Sequence, residues 1–92
     1  MSDVDVKHDK EFQILLGRLA DIKYELKAEH PDIVLKHFEN IQWSMRLLPT
    51  STLKKEIAAV YGKWTVKLKE AKNSELKKEI DEACRELIKL LN

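Results

Sequence analysis

The chain has 92 residues, 43% of them hydrophobic and 36% charged, with only two glycines and two prolines. It is too apolar for a disordered chain, too charged for a membrane-embedded one, and too poor in turn residues for a collagen-like, linker-like or all-β protein. Its 17 basic and 16 acidic residues leave a net charge of +1, which gives no general attraction to nucleic acid or anionic lipid.

A chain of this length makes one domain with a single core, burying roughly 60–65% of the surface that its unfolded form exposes. Residues 1–8 are polar and read as a flexible tail, and residues 9–92 as the domain. The first helical pattern puts Phe12, Leu15, Leu19, Ile22 and Leu26 on one face. Asp9 stands where a carboxylate can accept from the first free N–H groups of that helix. His30-Pro31 ends the segment, because the residue before a proline avoids the α region. Pro31 then suits the first position of the next helix, and Asp32 complements its positive end.

The second pattern is Val34, Phe38, Ile41, Met45 and Leu48, closed by Pro49. Thr50, Ser51 and Thr52 follow, each able to cap a third helix that carries Leu53, Ile57, Val60, Tyr61, Trp64, Leu68 and Ala71. The fourth pattern is Leu76, Ile80, Ala83, Cys84, Leu87 and Leu91. Leu76 lies about 80° around the helix from Leu68, so the stripe changes phase between Ala71 and Leu76. Asn73-Ser74-Glu75 at the slip reads as a cap and an acidic first turn, which predicts a turn in preference to one long helix with a stutter. No useful stretch alternates with period two. Four amphipathic helices on short connections predict an all-α fold, an antiparallel up-down-up-down four-helix bundle. Leu19, Ile22, Phe38, Ile41, Ile57, Trp64, Ile80 and Leu87 are expected to be buried together.

Signatures of enzymes are missing: there is no Gly-rich phosphate loop, GxSxG, HExxH or CxxC. His8, His30 and His37 lack the ExxH spacing that di-metal bundles use, so no metal site is expected. Cys84, the one cysteine, cannot form an internal disulfide. It lies about 40° off the centre of its stripe and is expected to be a half-buried, inert thiol. No carboxylate falls on an apolar stripe except at the ends, so none is expected to have a pKa raised into a catalytic range. The reading is therefore non-enzymatic, with no catalytic residue and no cofactor. The longest apolar run is five residues, Ile57 to Tyr61, with three in Ile14-Leu15-Leu16, which predicts no membrane span. The start of the chain has no apolar signal core, and the single cysteine fits a reducing compartment, so the chain reads as cytoplasmic.

Charge and exposed apolar residues supply the candidate sites. Residues 1–49 carry a net −2, residues 50–78 a net +5 and residues 79–92 a net −2. The basic block forms a candidate basic surface of Lys54, Lys55, Lys63, Lys67, Lys69 and Lys72, continued by Lys77 and Lys78. These are all lysines, without the arginine fork that reads base edges, and they fall on both flanks of their helix. In the fourth helix, Asp81–Arg85, Glu82–Arg85 and Glu86–Lys89 read as solubilising pairs. On the second helix, with Val34 at 0°, the core stripe lies within about 40°, but Trp43 falls at about 180° and Leu47 at about 220°. The outer face of the first helix collects Gly17, Ala20, Tyr24 and Ala28, and that of the third Ala59, Gly62 and Val66. Trp43, Leu47, Arg46, Tyr24 and Gly17 are thus the candidate partner-binding residues. They predict a protein-interaction module acting by surface binding or self-association, with a protein partner or a homodimer. An alternative is a nucleic-acid-associated protein using the third-helix lysines. A third reading is an immunity- or inhibitor-type protein that sequesters one target, a role known among short helical bundles and carried by fold-level analogy alone.

Overall fold

Helix α1 spans Lys10–Glu25 in the computed structural model, which describes residues 8–92. The expected tail lies outside the described residues except for His8, which is exposed. Asp9 caps α1 as its position predicts, its Oδ1 accepting from the backbone N–H of Glu11 at 2.8 Å. The helix ends earlier than the proline alone requires. Lys27 and Ala28 donate to carbonyls three residues back, a tighter winding that leads the chain into the extended His30 (ψ 138°).

Pro31 opens α2, Pro31–Asn40, and a short α3 follows over Gln42–Arg46. The sequence pattern predicts one helix here, and the structure interrupts it at Ile41. Ile41 keeps α-type angles (φ −66°, ψ −12°), but its N–H bonds the Phe38 carbonyl, three residues back, at 3.3 Å. The cause comes from another helix. The Tyr61 hydroxyl lies 2.8 Å from the Phe38 carbonyl oxygen and 2.9 Å from that of Glu39. A side chain inserted into the hydrogen-bond ladder is one of the established ways to bend a helix. The interruption preserves the stripe: Val34, Phe38, Ile41, Met45 and Leu48 are all buried.

Helix α4 spans Thr52–Glu70. Of the three residues able to cap it, Ser51 does so, its Oγ accepting from the Lys54 N–H at 3.1 Å. Ala71 and Lys72 are extended, which makes the predicted turn, and α5 runs over Asn73–Leu91. Asn73 is its first helical residue instead of its cap, and the cap position, Lys72, makes no side-chain capping bond.

The helices form the antiparallel bundle, with α2 and α3 together supplying one of its four helices. Helix α5 packs along both α1 and α4 and also touches α2, while α1 meets α2 and α3. Two small residues on α5, Ala83 and Cys84, are fully buried and let its neighbours approach closely. Contact with three helices widens the buried arc of α5, so Cys84 is completely enclosed and not half-buried as its offset predicts. All eight residues expected in the core are there, in one cluster that draws on every helix. Each large apolar side chain enclosed this way contributes about 1.5–3 kcal/mol. Among the described residues, no helix is long and apolar enough to cross a membrane.

Candidate protein-interaction surface

Helix α3 is short, yet the core holds it firmly. Ser44 and Met45 point inward and Leu48 buries just beyond its end, which leaves Trp43 and Leu47 pointing away. Trp43 is 61% exposed and Leu47 65%. They are four residues apart and so adjacent on the helix surface. The Arg46 guanidinium carbon sits 4.7 Å from the centroid of the Trp43 ring. Such a stack contributes about 0.5–1 kcal/mol at an exposed site and biases the indole toward one orientation. The patch therefore places an exposed indole, an aliphatic neighbour and a cation over the ring on one helical turn.

The other two candidate partner-binding residues lie elsewhere. Tyr24 is 73% exposed and lines the groove between α1 and α5, away from α3. Gly17 faces open space, with no atom within 4 Å of where a Cβ would stand. Among the described residues, nothing makes the close approach that a mid-helix glycine permits.

The predicted basic surface divides in the same way. Lys54 Nζ donates to the Leu48 carbonyl at 2.9 Å and covers the end of α3. Lys63 pairs with Glu86 at 3.0 Å. Lys67 lies 4.6 Å and Lys63 5.6 Å from the Trp64 ring centroid. Lys69 lines a shallow depression beside Glu39 and Tyr61, Lys72 sits at the α4–α5 corner, and Lys55 is exposed.

Sequence reasoning missed the role of Glu86. Its Oε2 accepts the Trp64 indole N–H at 2.6 Å and its Oε1 takes Lys63, which ties α5 to α4. The Trp64 bond first, and Lys63 second, hold the Glu86 carboxyl below the usual carboxylate range. Reading along the fourth helix assigns Glu86 to Lys89. The predicted Asp81–Arg85 pair does form, at 2.7 Å.

The remaining titratable candidates have structural settings. Burial, with Asp81 adding to it, pushes the Cys84 thiol up to about 12, so it carries almost no nucleophilic thiolate near neutral pH. Burial first and Glu39 second push the Tyr61 phenol up to about 12. His37 is exposed, its Nδ1 2.5 Å from Glu25 Oε2 in a link from α2 to α1. His30 is the N-cap residue of α2. Among the described residues, no three His, Cys, Asp or Glu side chains gather as a metal ion requires.

No protein-family model, curated protein or solved structure matches the chain.

Proposed function

We propose that this protein is a non-enzymatic interaction module that docks through Trp43, Arg46 and Leu47. The observation that carries the reading is the exposed Trp43–Leu47 pair on a helix whose other side is locked into the core. Leaving so much apolar surface in water is unfavourable by about 25 cal/mol for each Å² that a partner covers. Tryptophan and arginine are the side chains most often found as binding anchors, and a rigid presentation lowers the ordering cost of association. The complementary surface is an apolar pocket with a carboxylate at its edge to meet Arg46. A buried, unpaired Cys84 is in keeping with the reducing cytoplasm in which this reading places the chain. The alternative, nucleic-acid binding through the α4 lysines, draws less support because Lys54, Lys63 and Lys67 are engaged within the chain.

The test is quantitative recovery of bound proteins from native cells with the wild-type chain and with Trp43→Ala, alongside the molar mass of each in solution. The expected result is a partner, or a second copy, that is retained by the wild type and lost by the variant. Identical recovery and identical mass for the two chains would overturn the reading.

A further inference from the structure

The fold assembles a basic groove that no stretch of sequence contains. Lys23 on α1 and Lys27 just past its end stand across from Lys77 and Lys78 on α5, with Leu26 between them. The groove continues along the same two helices past Ala20 and Tyr24 to Arg85 and Ile88. Among the described residues, the only acidic side chain that lines it is Asp81, which pairs with Arg85 through Oδ2. Among the described residues, none of the four lysines makes an ion pair. Like charges gathered across two helices repel one another and oppose folding, and an anionic ligand relieves that repulsion.

We propose that this groove binds an acidic amphipathic helix. The floor is aliphatic, from Ala20 and Ile88 with the edge of the buried Leu26, and suits the apolar stripe of a peptide. The lysines line its walls, where they meet carboxylates flanking that stripe. Ser74 to Ile88 spans about 21 Å of α5, the length of a helix of about 14 residues. A nucleic acid fits less well. Tyr24 is the one aromatic available for stacking, Arg85 is already paired, and Asp81 sits midway where a continuous phosphate backbone would pass. A peptide, by contrast, can place an uncharged residue opposite Asp81.

The experiment is fluorescence anisotropy at about 50 mM salt, where charge attraction is strong. Four labelled probes are compared: an amphipathic Leu/Glu peptide of about 14 residues, a scrambled peptide of the same composition, a polyglutamate of that length and a single-stranded oligonucleotide. The amphipathic peptide should bind tightest. Lys27→Glu with Lys77→Glu should weaken it at least about tenfold, whereas Lys36→Glu with Lys55→Glu, the same charge change elsewhere, should alter it less than about twofold. Lys27→Gln with Lys77→Gln gives the same direction of loss should the reversal disturb folding. Trp43→Ala should bind the peptide like the wild type, which separates this proposal from the α3 reading. Equal binding of the scrambled peptide or polyglutamate, equal losses from the two reversals, or tighter binding of the oligonucleotide with the same lysine dependence would overturn it.

Discussion

The indole N–H of Trp64 donates to Glu86 Oε2 at 2.6 Å, joining the buried face of α4 to the edge of α5. Trp64 is only 5% exposed, so its N–H depends on this carboxylate for a partner. Glu86 is partly in solvent, and screening keeps its ion pair with Lys63 weak. The depressed Glu86 pKa gives the sign of the pH dependence. The unfolded carboxylate protonates near about 4.3. The stabilisation is complete above that value and disappears as pH falls through the lower folded-state pKa. Glu86→Gln should therefore destabilise the protein at pH 7 by about 1 kcal/mol or less and flatten the acid limb of its stability curve. Urea denaturation from about pH 3 to 7 checks this, and parallel curves for variant and wild type would remove the pair from the stability argument.

Tyr61 makes a second tie, from α4 to the carbonyls at the α2–α3 junction. Its ring also contacts Phe38, with centroids 5.1 Å apart, and phenylalanine keeps that contact. Tyr61→Phe should cost about 1–3 kcal/mol, because it removes a buried donor that the Phe38 and Glu39 carbonyls share. The raised phenol pKa predicts an alkaline effect of opposite sign to that of Glu86. The folded chain retains the proton between pH 10, the ordinary value, and about 12, while the unfolded chain loses it. Stability should fall with rising pH in that window, and Tyr61→Phe should lack this component. Chemical denaturation near neutral pH and at about pH 11 measures both effects.

The stripes were legible because each helix buries one face, and a 3.6-residue repeat records which side that is. Phe12 to Leu26 and Leu53 to Leu68 follow directly, and so does the turn marked by the phase change after Ala71. The interruption at Ile41 leaves no such mark. Its residues stay on one face, and its cause is a hydroxyl more than twenty positions away. Glu86 was misassigned for a related reason: local spacing offers it Lys89, whereas tertiary packing gives it Trp64 and Lys63. The groove was hidden most deeply. Charge counting along the chain puts Lys23 and Lys27 in an acidic segment and Lys77 and Lys78 in a basic one, and only the α1–α5 contact brings them together. Trp43 was visible because an apolar residue opposite its own stripe contradicts the pattern around it.

Gly17 and Gly62 test whether the small-residue faces cost the isolated chain stability. Both lie within helices, and a Cβ at either would meet no atom within 4 Å. Alanine removes unfolded-state freedom and suits a helix better, so each Gly→Ala change should stabilise the monomer by about 0.5–1 kcal/mol. Thermal or urea denaturation of the two variants checks this. Destabilisation by either would mean that its face is occupied in the folded protein.

Trp43 provides the most direct test of the α3 surface. The two tryptophans occupy opposite settings, Trp43 61% and Trp64 5% exposed. In dilute solution the wild type should show one red-shifted, readily quenched emission component and one protected component. Trp43→Phe should abolish the first and keep the second. Trp43→Ala should change folding stability by only about 0.5 kcal/mol or less, because the side chain contributes little to the core. Its cation–π contact with Arg46 is itself worth about that much at an exposed site. Loss of partner binding should be far larger, about 2 kcal/mol or more if the indole is the anchor, with a smaller loss in the same direction for Leu47→Ala. Binding and stability would thus separate at one residue, which a purely structural tryptophan cannot achieve. Arg46→Lys refines the point: it keeps the charge but loses the planar stack, so weakened binding there would show that the stacked geometry itself is recognised. If Trp43 stays protected from quencher at the lowest measurable concentration, its surface is covered within the monomer and the docking assignment fails.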